Sequence, residues 1–485
     1  MKDNMSIKKV TFINIIVKYS VFIINFVYIA ILSRILTQED FGIAATINVF
    51  VAFFAILADF GLGSSMIQNR DLTDDDINSL FSFSIILAIG LALFFTIFSF
   101  PFSYFYREKV YIKLGALLSI AVFFSTLNTI PNGLLFKNKE FLLVGIRQVI
   151  VSIVSSIIAI FCAKFGLRYY ALIVFSIATS LLNFLWNYLN CGLKFRFRLK
   201  MESINKIKNY SSYLFGFNLI NYFSRNTDNL LIGKFMGPIA LGNYNIAYKL
   251  MLYPLEMLTH VITPILHPLL AEWQHDKDYV YKVYMKMVKL LSLLGIYISM
   301  FCFFTSEEIV YIISGEKWKV AGDCFRLLSI SIWAQMINAT SGSMFQVLNQ
   351  TKKQFKRGLI VAFVTVSCIL LGLYYRSIVV VSFFVMLAYN SNFITMLKFL
   401  IKDSFEKKPV EFLKCFIPDF MIGIAIAGIL YCFSNVISFD NKIISFIVKF
   451  IVSAIVYLIM LVLTKQYKFL LALFPSKLTK KLVAH

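Results

Sequence analysis

The chain is cut into apolar blocks of about 20 residues, the length a helix needs to cross a hydrocarbon core about 30 Å thick. About 14 such blocks can be counted, centred from Phe22 to Ala454. In lipid every backbone N–H and C=O must be satisfied within the segment, so blocks of this length fold as helices. The pattern predicts an all-α polytopic membrane protein. Of its 485 residues 59% are hydrophobic, above the roughly one half of a soluble domain. The longest connections, residues 191–209, 271–289 and 306–323, hold about 20 residues or fewer. None can fold as a domain, so the chain does its work inside the membrane.

A formal charge of +22 would suit nucleic acid, but its distribution points elsewhere. With the N-terminus cytoplasmic and the helices alternating, about 30 of the Lys and Arg residues fall in inner loops and tails and about 11 in outer loops. Lys194, Arg196, Arg198, Lys200, Lys206 and Lys208 land inside, as do Lys352, Lys353, Lys356 and Arg357 and the tail Lys477, Lys480 and Lys481. These clusters read as orientation signals that also attract anionic headgroups of membrane lipids, with a cytoplasmic protein as the other reading and no role for nucleic acid. Both termini are expected in the cytoplasm. Lys8 and Lys9 precede an apolar stretch longer than a signal peptide's, with no small-residue cleavage site, so the first helix is expected to stay as an anchor. The seven cysteines show no metal or redox spacing, and no Walker motif occurs; neither a metal nor a cofactor is expected.

Two neighbouring blocks carry polar stripes. In the seventh, which starts at Tyr210, Asn218, Asn221, Arg225 and Asp228 fall at i, i+3, i+7 and i+10, one face of a helix. In the eighth, Asn245, Lys249, Tyr253, Glu256, His260 and Thr263 again share a face. Ionisable groups at membrane depth face a protein interior or a water-filled cavity and mark a pathway by default. An Arg225–Asp228 ion pair accounts for two charges. It leaves Lys249, Glu256, His260 and the asparagines, so a solvated, substrate-facing cavity is the preferred reading.

The first half is similar but weaker. Asn14, Lys18 and Asn25 align on the first block, Asn48 and Asp59 on the second, and Arg147 lies near the inner end of the fifth. Lys18 and Arg147 read equally as snorkelling anchors and as cavity residues. Asn183 and Asn187 line the cavity or bond helix to helix, and Arg326 reads as an outer anchor. Pro131 and Pro254 predict bends in their helices.

A weak repeat links the halves. Leu36-Thr-Gln-Glu-Asp-Phe-Gly42 and Met236-Gly-Pro-Ile-Ala-Leu-Gly242 each close on an apolar residue and glycine ahead of an apolar block. Six helices, an even number, separate them, so both enter the membrane in the same direction. Parallel repeats of this kind build transporters from two pseudo-symmetric bundles with the site between them. The expected layout is a six-helix lobe over 1–190, a basic cytoplasmic linker over 191–209, a second six-helix lobe over 210–400, and two further helices with a cytoplasmic tail over 401–485. Glu39 and Asp40 are the one candidate for catalysis, because polytopic lipid-linked glycosyltransferases keep an acid in such an outer loop. The second copy of the repeat has no acid, so N-capping of the second helix by Asp40 is the more economical account, and no enzyme activity is expected.

Several runs carry a family resemblance. Leu32-Ser-Arg-Ile-Leu-Thr-Gln-Glu-Asp-Phe-Gly42, Leu57-Ala-Asp-Phe-Gly-Leu-Gly63 and Arg225-Asn-Thr-Asp-Asn-Leu-Leu-Ile-Gly-Lys-Phe-Met-Gly237 resemble the polysaccharide-biosynthesis, Wzx-type oligosaccharide flippases. So does Ala240-Leu-Gly-Asn-Tyr-Asn-Ile-Ala-Tyr-Lys249. The resemblance implies a bundle of six plus six helices with two more in the bacterial cytoplasmic membrane. It implies alternating-access movement of undecaprenyl-pyrophosphate-linked repeat units for O-antigen, capsule or exopolysaccharide. It also implies company with a polysaccharide polymerase and a chain-length regulator. Lys and Arg would offset the pyrophosphate charge while asparagines and carboxylates bond sugar hydroxyls. His260 and Glu256 are candidates for titrating groups if H+ is the coupling ion; Na+, membrane potential or product consumption would serve equally. The alternatives are a cation-coupled drug exporter of the same fold, whose family carries acids in the first lobe where this chain has Asp59, and a polytopic glycosyltransferase or polymerase.

Overall fold

The backbone groups that cannot be left open in lipid are closed here by helices throughout the described regular structure. A computed structural model describes residues 7–59, 72–197, 199–271, 273–437 and 439–472, without side chains at 7–12, 59, 201–221, 223–225, 260–269 and 271. The chain forms two compact units, Met1–Asn245 and Ile246–His485. The first holds α1 (Ile7–Ile35), α2 (Gln38–Asp59), α3 (Asp74–Tyr106), α4 (Val110–Leu127), α5 (Thr129–Lys137), α6 (Phe141–Lys164), α7 (Tyr170–Asn190) and the first part of α8 (Met201–Ala271). The second holds the rest of α8, then α9 (Lys277–Phe304), α10 (Ser306–Ser314), α11 (Lys319–Ser329), α12 (Ile332–Ala339) and α13 (Ser341–Val347). It continues through α14 (Thr351–Tyr374), α15 (Ile378–Met396), α16 (Pro409–Lys414), α17 (Ile417–Val436), α18 (Lys442–Leu463) and α19 (Gln466–Ala472). Among the described residues 11 helices are long and apolar enough to cross a membrane, or 12 if the bent pair Glu316–Ser329 and Ile332–Val347 is one span. Fourteen spans would further need both arms of α8, which are not among them. The lobes proposed from the repeat follow topology rather than compactness, and their 191–209 boundary lies inside the first unit.

Helix starts are written locally. Thr37 caps α2 in a reciprocal box: its hydroxyl accepts from the Asp40 N–H at 3.2 Å, and the Asp40 carboxylate accepts from the Thr37 N–H at 3.0 Å. The cap is therefore Thr37, and Asp40, expected as the cap, closes the box from the first turn. Thr73 and Asp76 repeat the device at α3. Pro131 lacks an N–H and its ring would crowd the carbonyl of Leu127. That is where α4 ends, so the expected bend is a break at Asn128.

The repeat read from the sequence meets itself inside the first unit. A Cβ on Gly42 would lie 1.7 Å from the Pro238 carbonyl oxygen, and one on Gly242 would lie 2.0 Å from that of Gln38. Gln38 and Pro238 hold the same place one turn ahead of their own glycines, so each copy seats its glycine on the other's helix entry. No side chain fits in either contact. Gly237, at φ 80°, kinks α8 immediately before this turn in a conformation that favours glycine.

In the second unit, α17 and α18 are pinned by buried ion pairs. Lys289 of α9 pairs with Asp419 of α17, which also accepts from the Ser292 hydroxyl at 2.5 Å. Lys449 of α18 pairs with Glu308 of α10 at 2.5 Å, and the Ser445 hydroxyl donates to the same carboxylate at 2.8 Å. Removing one partner of such a pair costs about 3–5 kcal/mol, because it leaves an uncompensated charge in the dark.

The glycine contact predicts an asymmetry among substitutions. Gly42→Ala and Gly242→Ala should each lower stability by about 1–3 kcal/mol through overpacking. Gly90→Ala and Gly428→Ala, where an added Cβ meets nothing within 4 Å, should leave it unchanged or raise it by about 0.5–1 kcal/mol. Thermal unfolding of the four purified variants in detergent checks the ordering.

Candidate functional site

Each charge placed at membrane depth either holds the fold or is kept for something else, and its partners tell which. Arg147 of α6 is 6% exposed. Its Nη1 donates to Asn132 Oδ1 at 2.8 Å and to Asn187 Oδ1 at 2.7 Å, while Asn187 donates to Asn128 Oδ1 at 2.7 Å. One guanidinium thus gathers the α4–α5 break, α6 and α7. Arg147, expected as an anchor or a cavity residue, is committed to this junction, and Asn187 serves the helix-to-helix role.

The second unit builds the same junction. Arg357 of α14, which the sequence grouped with an exposed basic cluster, is 8% exposed. It donates to Ser341 Oγ at 2.7 Å, to Asn338 Oδ1 at 3.0 Å, and to Asn392 Oδ1. Asn338 and Ser341 flank the α12–α13 break as Asn128 and Asn132 flank the first. The turns ahead of the two arginines also match. Lys139 and Asn349 sit at φ 59° and 53°, and the next N–H closes a wide turn, Glu140 to Leu135 O at 3.0 Å and Gln350 to Phe345 O at 2.7 Å. This is a left-handed helix end used identically in both units. Among the described residues neither arginine is bonded to a carboxylate; neutral amide and hydroxyl oxygens absorb the charge.

Other candidates are also engaged. Asp228 is 4% exposed and accepts from the Tyr244 hydroxyl at 2.8 Å and the Asn229 N–H at 2.8 Å. It ties two stretches of α8 across the Gly237 kink. Arg168 bonds Glu39 at 3.0 Å and Asp40 at 3.1 Å, so both outer-loop acids are occupied. Arg326, expected as an outer anchor, pairs with Glu307 at 3.0 Å. Asn25 accepts from the Ser152 hydroxyl at 3.3 Å. Lys18 is exposed on α1.

Asn245, the last residue of the first unit, is half-buried. What remains lies on the part of α8 in the second unit: Lys249 is half-buried, Tyr253 is half-buried one turn further, and Glu256 is exposed. Among the described residues neither Lys249 nor Glu256 makes a hydrogen bond, and each is the other's electrostatic partner along the helix. An ammonium and a carboxylate are therefore presented two turns apart on one face. Beside them within the second unit, Tyr389 donates to the Tyr248 hydroxyl at 3.0 Å, and Gln335 donates to Ser331 at 2.8 Å. The sequence did not single out Gln335 or Tyr389, since one polar residue in an apolar helix has no periodic signal. The side chains of Asn218, Asn221, Arg225, His260 and Asp59 lie outside the described residues. Among the described residues no group of three His, Cys, Asp or Glu side chains could hold a metal.

Comparison with known proteins gives a coherent set. The family model described as polysaccharide biosynthesis protein matches residues 31–323. An uncharacterized membrane protein in the cps region of Klebsiella pneumoniae is 27% identical over 345 residues, 67% of this chain and 68% of that protein. The lipopolysaccharide biosynthesis protein WzxC of Escherichia coli (strain K12) is 23% identical over 363 residues, 72% of this chain and 71% of that one. Among solved structures, the lipid II flippase MurJ in an inward closed conformation superposes with a TM-score of 0.72 at 15% identity, covering 93% of this chain and 98% of that one. An inward-facing multidrug resistance transporter of the MATE family gives 0.61 at 14% identity, covering 84% and 98%. At such identities these likenesses are of fold, and the two-lobed fold of those transporters agrees with the expected one.

The junctions predict that Arg147→Lys and Arg357→Lys are not conservative. Lysine cannot supply the planar fork, so each should lose about 1–3 kcal/mol of stability, read as a lowered melting temperature in detergent. An interfacial anchor would accept lysine with no change.

Proposed function

We propose a function from one premise: this chain belongs to the polysaccharide biosynthesis protein family, whose model matches more than half of it. The protein is a multi-pass membrane protein of the flippase and transporter fold. In our reading it carries undecaprenyl-pyrophosphate-linked oligosaccharide repeat units from the inner to the outer leaflet of the bacterial cytoplasmic membrane by alternating access. Both termini are cytoplasmic in this reading, and the cargo supplies a surface polysaccharide through a polymerase and its chain-length regulator.

The observation that supports the reading is the α8 face of Lys249 and Glu256, where opposite charges two turns apart have only each other as electrostatic partners and make no hydrogen bond among the described residues. Such a face is costly unless something charged and hydrated visits it. A pyrophosphate is anionic and a glycan is dense in hydroxyls. Lys249, with Arg225, meets the first through charge-assisted hydrogen bonds. Glu256 and His260 in the second unit suit the glycan, as do Lys18, Asn25, Asp59, Asn218, Asn221 and Asn245, each in the first unit. The isoprenoid tail stays in lipid. Glu256 and His260 are the groups through which a coupling ion, H+ or Na+, would act. Asp228 and Arg147 stand second in the proposed set, because Tyr244 bonds the first and Asn132 and Asn187 bond one amino group of the second.

Lys249→Ala tests the reading. Loss of one charge-assisted hydrogen bond is worth about 1.5–3 kcal/mol, so surface polysaccharide should fall roughly tenfold or more while complete lipid-linked units accumulate in the cytoplasmic leaflet. Normal surface polysaccharide in the variant would contradict it. Drug sensitivity on deletion, with polysaccharide intact, would favour an exporter.

A further inference from the structure

The stretch that leaves α7 reads Leu193-Lys-Phe-Arg-Phe-Arg-Leu-Lys200, apolar and basic residues in strict alternation. Its described residues lie outside any helix, and the segment is fastened to the start of α3. The Arg196 N–H donates to Asn78 Oδ1 at 2.9 Å, the Lys200 N–H donates to Ser79 Oγ at 2.8 Å, and Lys200 Nζ pairs with Asp75 at 3.4 Å. Leu193 packs on the buried cluster of Leu80 and Phe81, and the Phe195 ring meets Phe81 edge-on at 5.3 Å. The backbone is thus tied down, yet its outer apolar side chains are uncovered: Phe197 is 63% and Leu199 46% exposed. Lys194 and Arg196 are exposed as well.

The level of this strap is set by its neighbours. It follows the last residue of one candidate span, Tyr170–Asn190, and is bonded to the first turn of another, Asp74–Tyr106. It therefore lies where two helices leave the hydrocarbon. Lys194 and Arg196 thus stand exposed beside the bare Phe197 and Leu199. Aromatic and aliphatic side chains left bare at that level suit the acyl boundary, and basic ones suit headgroup phosphates.

We propose that residues 193–200 form a lipid-binding strap that seats Phe197 and Leu199 in the inner leaflet and takes anionic phospholipid headgroups on Lys194 and Arg196. An acidic cytoplasmic protein would match the charge but would leave the two apolar side chains facing the membrane without a role. The proposal rests on the chain spanning a membrane and not on the flippase reading, so either can fail alone.

The test uses the full-length protein in detergent micelles with a Phe197→Trp probe, its emission corrected for the native tryptophans by subtraction of the unsubstituted protein. It is titrated separately with phosphatidylglycerol, phosphatidylcholine and inorganic pyrophosphate. A saturable blue shift with phosphatidylglycerol alone is expected. Its midpoint should rise about fivefold in Lys194→Gln and further in Lys194→Glu, following the attraction of each basic residue to an anionic surface. Lys194 is exposed, so both changes leave the fold intact. Equal responses to the two lipids, a response to pyrophosphate, or a midpoint unmoved by Lys194→Glu would each overturn the proposal.

Discussion

A guanidinium cannot stand bare in hydrocarbon, and the architecture described here turns on how two of them are housed. Among the described residues Arg147 bonds amide oxygens and Arg357 amide and hydroxyl oxygens, and neither bonds a carboxylate. In one unit Asn132 supplies an oxygen directly and Asn128 acts through Asn187; in the other Asn338 and Ser341 supply theirs, and in both the residues flank a helix break. The break exposes polar side chains that the arginine needs, and the arginine holds together helix ends that the break would otherwise loosen. Either feature alone would be a liability in a bilayer.

The same economy separates structural charge from functional charge. Lys289 with Asp419 and Lys449 with Glu308 fasten the last two long helices. Arg168 occupies Glu39 and Asp40. Asp228 is closed by Tyr244. With these accounted for, the Lys249 and Glu256 face stands out, because among the described residues neither side chain makes a hydrogen bond and the electrostatic partner of each is the other. That residue-by-residue subtraction, together with family membership, supports the transport reading better than the stripe alone.

Much of the fold was legible because the signals are local. Spans show as runs and the repeat as Phe41-Gly42 and Leu241-Gly242, while the start of α2 was legible only to within a turn, Asp40 being read as the cap that Thr37 provides. The structure adds why those glycines are there: each copy approaches the other too closely for a Cβ. What could not be read were pairings between distant residues. Nothing near Lys289 announces Asp419, and Arg357 sits in a basic run whose other members are surface residues, so charge counting hid its burial. Arg147 had the same ambiguity, because depth estimated from helix rise cannot say which way a side chain turns.

The central claim is that Lys249 and Glu256 meet water and ligand while the junction arginines do not. It is tested most directly by cysteine accessibility in membranes, using a background without the seven native cysteines. Cysteines at positions 249 and 256 should react with a charged, membrane-impermeant thiol reagent, and added lipid-linked oligosaccharide should slow the reaction. A cysteine at Ser341, beside Arg357, should stay unmodified. Failure of both α8 positions to react from either side of the membrane would contradict the account.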